Sequence, residues 1–271
     1  MKTTQLRILF TALLLSIPTS SLPEKADPAK SLLLLKKKLP PKSGKKELMY
    51  AARKGDLETA QLLISSGVDI NQQNEFGTTA LMEAAHNGHL EIVKLLANNG
   101  ANLDLEGSHF EIGGPIFTAL TCATENGHFE VVEFLINNKA DVNGGLRGAL
   151  FHAVLSDKLK IAQLLVNNGA NVNDIDHLAN TPLMQAAHNK SDSFDIIKFL
   201  VDHGAKINPQ NKYGHTALML AIASNKFKAA KFLVGKGADI TKKENENRTA
   251  FDLLLEKAKK LYLKNKPDKN S

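Results

Sequence analysis

The chain has 271 residues and a formal net charge of +6, but this charge is unevenly distributed. Residues 1–46 carry ten Lys or Arg against two acids, and residues 253–271 carry six against two, which leaves residues 47–252 net acidic. A nucleic-acid-binding domain holds its basic patch on the folded surface, so this distribution argues against nucleic acid as a partner. The single cysteine, Cys122, excludes an intrachain disulfide framework.

Residues 1–21 have the pattern of a signal peptide. A basic start at Lys2 and Arg7 is followed by an apolar run over residues 6–17, which Pro18 ends, and small residues suited to a peptidase follow. The run is short for a membrane span. We therefore expect an exported protein, periplasmic or secreted. A cytoplasmic chain whose first residues form a buried helix, and a chain anchored in the membrane by an uncleaved signal, remain alternatives.

Residues 22–44 are predicted to form a basic spacer that contains four prolines. Within it, SLLLLKKKL at Ser31–Leu39 predicts a short helix that ends in cations. Those cations would suit an anionic membrane surface. Alternatively, the leucines cover the exposed end of the first repeat, as a terminal unit requires.

From about residue 45 onward, a two-helix pattern recurs roughly every 33 residues. In its clearest copy, Thr79 can cap the first helix, and Gly88 and Gly100 follow the first and second helices. Runs similar to LMEAA begin at Leu48, Leu81, Leu120, Leu150, Leu183 and Leu218. One such helix pair cannot bury its apolar faces alone, so the pattern predicts a stacked array.

The pattern resembles ankyrin repeats. The resemblance rests on TPLM at Thr181–Met184, on AAHNGHLEIVKLL at Ala84–Leu96 and on the GADVN-like strings that follow the helix pairs. It implies an all-α solenoid of stacked helix–turn–helix units with β-turn or hairpin connections. We expect about six repeats and a C-terminal capping helix over residues 45–263, followed by a disordered basic tail at 264–271.

Several units depart from the family pattern. The fourth residue of the TPLH motif, normally His, is Met82, Met184 or Met219, which predicts additional apolar contact within the inner helices. Lys139 occupies a place that is Gly in other repeats, and we expect Asn138 to adopt the left-handed conformation instead. Repeat four lacks the capping Thr, so we expect it to be among the less regular units.

The link between repeats two and three, Leu105–Phe117, is longer than its counterparts. Its glycines favour a mobile projection, whereas its apolar residues allow it to fold back on the repeats. Inserted loops of a solenoid often bind partners, so this link is a candidate contact.

The sequence offers no catalytic or metal-binding constellation. His86 and His188 occupy equivalent places in repeats two and five, and three helix layers separate them too widely to share one ion. Cys122 and His152 lie on adjacent inner helices, where one layer of offset separates a nucleophile from its base. We therefore expect no enzyme activity, no cofactor and no metal site.

By the resemblance, turn tips and the exposed side of the inner helices meet a protein partner. The candidate contact residues are Phe76, Thr78, Phe117, Arg147, Tyr213 and His215 in the turns, Phe110 in the long link, and His86, Glu125 and His188 on the inner helices. We expect a monomeric scaffold or adaptor that binds proteins after export. Two alternatives remain: an envelope accessory or protective factor for a resident enzyme, and a membrane-surface protein held by its N-terminal segment.

Overall fold

The computed structural model describes residues 44–108, 116–145 and 147–264, and the described residues from Lys45 onward form one compact unit. The predicted signal peptide and nearly all of the spacer lie outside the described residues. In these ranges, the seven inner helices are α1 (Gly44–Lys54), α3 (Ala80–His86), α5 (Ala119–Asn126), α7 (Ala149–Leu155), α9 (Pro182–His188), α11 (Ala217–Ala223) and α13 (Ala250–Lys264). The six outer helices of the same ranges are α2 (Leu57–Ser65), α4 (Leu90–Asn98), α6 (Phe129–Asn137), α8 (Leu159–Asn167), α10 (Phe194–Asp202) and α12 (Phe227–Gly235).

The helices form two parallel rows, which confirms the predicted all-α solenoid. From repeat two onward, each inner helix packs on its own outer helix and on the next inner helix, and each outer helix packs on the next outer helix. The shared core is built from aliphatic residues that are fully buried. They include Leu81, Ile92, Leu96, Leu120, Leu135, Leu165, Leu183 and Leu200.

Threonine caps begin most of the inner helices, as predicted. The hydroxyl of Thr79 accepts a hydrogen bond from the Met82 N–H at 3.2 Å, and Thr181 and Thr216 accept from the equivalent N–H groups. Each cap satisfies one backbone donor that the first turn leaves without a helical partner. The methionines at the fourth motif position are buried, which supplies the predicted apolar contact.

Repeat four is irregular in the predicted way, but the turn after α6 differs from our expectation. Gly148 precedes α7 without a side-chain cap, and Asp157 adopts a positive φ of 55°. The expectation for Asn138 was wrong: its φ is −92°, and Lys139 itself adopts a φ of 71°. The end of α6 has the same backbone geometry as the outer helices that are followed by Gly. The residue in that place therefore adopts the left-handed conformation even when it is Lys.

Lys139→Gly is therefore expected to raise the free energy of unfolding by about 0.5–1 kcal/mol. The change removes about 1–2 kcal/mol of strain from the left-handed conformation of a residue with a side chain. Part of this gain is offset because Gly gives the unfolded chain more conformational entropy. The converse change, Gly169→Lys, replaces a Gly with a φ of 91° and should lower stability. Urea unfolding of both variants measures the two effects, and a stabilised Gly169→Lys variant would contradict this account.

The base of the long link is an ordered hairpin, which corrects the prediction that the whole link projects. Strands β1 (Gly107–Ser108) and β2 (Ile116–Phe117) pair in antiparallel register. The Ser108 N–H donates to the Phe76 carbonyl at 2.7 Å, and the Thr78 hydroxyl donates to the Ser108 carbonyl at 3.0 Å. The base is thus tied to repeat two by one backbone hydrogen bond and one side-chain hydrogen bond. Residues 109–115 lie outside the described part of the chain.

Candidate functional site

A groove of about 660 Å³ lies along the last four inner helices, α7, α9, α11 and α13, and the turns that precede them. Its apolar lining comes from seven aliphatic or thioether side chains and one tyrosine. They are Leu155, Leu178, Met184, Met219, Leu220, Ala223, Leu253 and Tyr213. The polar lining includes Arg147, Gln185, His188, His215 and Arg248. The groove therefore combines an apolar floor with cationic and hydrogen-bonding groups, which is the usual composition of a binding site.

Four of the ten predicted contact residues meet in this groove. Arg147, His188, Tyr213 and His215 come from repeats four, five and six, and stacking of the repeats brings them to one surface. Tyr213 is 51% exposed and His188 is also exposed, whereas Arg147 and His215 are half-buried.

Asn211 positions the two aromatic groups of the turn before α11. Its buried side-chain oxygen accepts from the N–H groups of Tyr213 at 3.0 Å and His215 at 2.9 Å, which closes the turn. Its amide nitrogen donates to the Asn180 side chain at 2.7 Å, so consecutive turns are linked. These bonds hold Tyr213 outward with its ring 6.2 Å from that of His215.

The two arginines of the groove differ in their charge environment. Arg248 pairs with Glu244 at 2.9 Å, Glu246 at 2.8 Å and Glu256 at 3.5 Å. Arg147 has no carboxylate at ion-pair distance among the residues that the structure describes. Its Nη2 lies 3.1 Å from Nδ1 of His177 instead. The charge of Arg147 is therefore the one that a ligand in the groove can still neutralise.

The other predicted contact residues lie elsewhere. Thr78 and Phe117 are both buried, each only 4% exposed. The hairpin of the long link covers Thr78. The ring of Phe117 packs against the ring of His152, with 5.2 Å between their centroids. The expectation that these two side chains are exposed at turn tips was wrong. Phe76 is half-buried beside the same hairpin. Phe110 lies outside the described residues.

His86 and Glu125 are half-buried at the ends of α3 and α5, in repeats two and three. Nδ1 of His86 lies 2.9 Å from the amide nitrogen of Asn126. These two residues are not part of the lining of the groove.

Sequence reasoning missed part of the lining. Gln185, Leu220 and Leu253 occupy one equivalent place on α9, α11 and α13, and the same place holds the buried residues Cys122 and His152 in earlier repeats. The signal that could have found these residues is their equivalent position in successive inner helices, which recurs about every 33 residues. It places these residues in one row but does not tell which members of the row are exposed.

Cys122 and His152 do not form a catalytic pair. Neither ring nitrogen of His152 has a hydrogen-bond partner, so the imidazole does not contact the thiol as a base. Burial, with added repulsion from Glu125 and Glu83, raises the pKa of the Cys122 thiol to about 12. Such a thiol stays protonated at neutral pH and is not an activated nucleophile.

The turn histidines connect adjacent layers. Nε2 of His89 lies 3.2 Å from the Arg53 carbonyl, and Nε2 of His128 lies 3.0 Å from the His86 carbonyl, so each donates across one repeat boundary. Among the described residues, no three His, Cys, Asp or Glu side chains are grouped to hold a metal ion. Within the same residues, no helix has the length and apolar character that crossing a membrane requires.

Comparisons with known proteins agree with this architecture. A family model described as ankyrin repeats, in three copies, matches residues 48–144, 113–176 and 150–244. Among solved structures, the chain is similar to the crystal structure of the human ASB11 ankyrin repeat domain, with a TM-score of 0.67 and 25% sequence identity. That match covers 81% of this chain and 98% of the other. No curated protein matches the chain. Since the family matches extend over most of the sequence, this chain belongs to the ankyrin repeat family.

Proposed function

We propose that the protein is a non-catalytic adaptor or scaffold that binds a partner protein through the groove along α7, α9, α11 and α13. Ankyrin repeat domains are in general protein–protein interaction modules. The observation that carries the proposal is Tyr213, half exposed in a groove whose lining is largely apolar and whose Arg147 has no carboxylate at ion-pair distance among the described residues. Aromatic residues and arginines are enriched among the residues that contribute most to binding.

Tyr213→Ala is expected to weaken binding of the partner by about thirtyfold or more, since truncating a contact hot spot costs at least about 2 kcal/mol. The matched control is Tyr50→Ala, which removes a tyrosine of similar exposure, 45%, on α1 outside the groove. Comparative capture with the wild type and both variants, followed by mass spectrometry and affinity measurement, gives the result. A partner lost equally from both variants, or from neither, would contradict the proposal.

Cys122→Ser tests the opposing hypothesis of an enzyme. The buried, protonated thiol contributes packing alone in our account, so this variant should retain full binding. An activity that disappears with the thiol while binding persists would overturn the non-catalytic assignment.

We further propose that the protein acts after export. The proposal rests on the basic start and the apolar run of residues 1–21. Intact-mass analysis of the protein recovered from its cells should show a mature chain that begins between about Ser20 and Lys25. Soluble protein that retains residues 1–17 would contradict export by a cleaved signal.

A further inference from the structure

Large apolar side chains are exposed together at the C-terminal end of the array. Six of the ten such side chains among the described residues lie between residues 227 and 255, so the exposure is concentrated in the last repeat and α13. We call these six residues, each 40–65% exposed, the end surface. They are Phe227, Val234, Ile240, Phe251, Leu254 and Leu255.

The residues 33 positions earlier show that this exposure is specific to the end. The counterparts of the three α13 residues are Leu218, Ala221 and Ile222, which are 2%, 0% and 5% exposed. The counterparts of the other three are Phe194, Val201 and Ile207, which are partly buried against the core. In the preceding layer, where another repeat follows, the side chains at these six equivalent positions are therefore buried or partly buried.

One outer helix provides much of that cover. The ring of Phe194 packs edge-on against Phe232 of α12 at 5.6 Å, and Nζ of Lys228 lies 3.9 Å above its face. Phe227 is the counterpart of Phe194, but no outer helix follows α13 among the residues that the structure describes. Terminal repeats of solenoids have a polar outer face, whereas the last repeat and α13 expose these six apolar side chains. Exposed apolar area of this kind marks an interaction site.

The charges around the end surface favour an acidic occupant. Seven lysines between residues 227 and 260 have no carboxylate at ion-pair distance among the described residues. They are Lys228, Lys231, Lys242, Lys243, Lys257, Lys259 and Lys260. The acids of the region are already engaged by the chain itself.

Those acids are held by one arginine and two threonines. Glu244, Glu246 and Glu256 pair with Arg248. Asp239 accepts from Thr241, and Asp252 accepts from Thr249. Residues 227–260 nevertheless carry nine Lys or Arg against five Asp or Glu, so the region keeps a net positive charge.

We propose that the end surface binds one amphipathic helix of a partner protein, with acidic residues beside its apolar face, in the place of a seventh outer helix. A second copy of this chain that met the end surface through its own end surface would bring the same lysines to the contact, and like charges across an interface oppose binding. The sequence of residues 265–271, NKPDKNS, contains no large apolar side chain. This surface is additional to the groove of the proposed function.

Two stapled helical peptides test the proposal with the full chain. Both carry the apolar residues of α12, Ala229, Ala230, Phe232 and Leu233, because α12 covers the preceding layer; one has Glu and the other Lys at the remaining positions. Fluorescence anisotropy should show at least tenfold tighter binding of the Glu peptide. Phe251→Ala and Leu255→Ala should each weaken that binding at least tenfold, and Lys259→Glu with Lys260→Glu should reduce the preference for Glu.

Ile175→Ala is the matched control, since it truncates another apolar side chain, 56% exposed, that is outside the end surface. It should leave peptide affinity unchanged. Tyr213→Ala should also leave it unchanged, so failure here and failure of the proposed function are distinguishable. Equal affinity for both peptides would overturn the proposal. So would self-association that Phe251→Ala abolishes, or binding to vesicles of phosphatidylcholine and phosphatidylglycerol without binding of the Glu peptide.

Discussion

Leu165→Ala is expected to lower the free energy of unfolding by about 2–5 kcal/mol, the usual cost of truncating a fully buried leucine. Leu165 is 0% exposed on α8, which packs against α6, α7 and α10. The variant loses apolar burial and leaves a cavity among three helices that are fixed by the neighbouring repeats. Urea unfolding followed by helical circular dichroism measures the loss.

Leu164→Ala is the matched control for this prediction. Leu164 precedes Leu165 in the apolar IAQLLV stretch of α8, but it is only partly buried. One residue along a helix turns the side chain by about 100°, so Leu165 faces the core and Leu164 lies at its margin. The Leu164 variant should lose clearly less stability, and equal losses would mean that α8 does not present Leu165 inward.

Lowering the pH from about 6.5 to about 4 is expected to remove about 3 kcal/mol of stability through His152 alone. Burial first, and then the nearby charge of Arg147, lowers the pKa of His152 from 6.5 to about 4. Below pH 6.5 the unfolded chain binds a proton at His152, whereas the folded chain binds it only when the pH falls to about 4. The stability from the neutral imidazole is therefore complete above pH 6.5 and is lost progressively as the pH falls towards 4.

His152→Leu isolates this contribution. It removes the titrating ring together with two buried nitrogens that have no hydrogen-bond partner, so it should be neutral or stabilising at pH 7. The difference in unfolding free energy between the variant and the wild type should grow in favour of the variant between pH 6.5 and 4. A difference that does not change with pH would contradict the buried, neutral state of His152.

Carboxylates act in a different pH range. A hydrogen bond from Lys198 lowers the pKa of Asp202, and hydrogen bonds from Thr249 lower that of Asp252, both from an ordinary value of 3.8. Their stabilising contributions are present above that value and are lost as the pH falls below it. The His152 effect is therefore measurable before these groups titrate.

The sequence by itself determined the repeat architecture, because each repeat is a local unit. The helix caps show this most clearly. A capping side chain only has to accept a hydrogen bond from the backbone N–H three residues later, so the spacing in the sequence is enough to identify Thr79, Thr181 and Thr216 as caps. The apolar stripes of the outer helices are likewise a property of one helix. The recurrence of such units every 33 residues or so predicts stacking, since a single unit cannot bury its own face.

Only the tertiary structure decided which side chains remain exposed, because exposure depends on what packs in the next layer. Phe117 and Tyr213 both belong to turns that precede inner helices. Phe117 is buried with its ring packed against His152 of the next inner helix, whereas Tyr213 remains half exposed in the groove. Phe194 and Phe227 hold equivalent places, but among the described residues a further outer helix follows only the helix of Phe194. Local patterns fix the face on which a residue lies, whereas contacts between residues distant in sequence fix whether that face meets solvent.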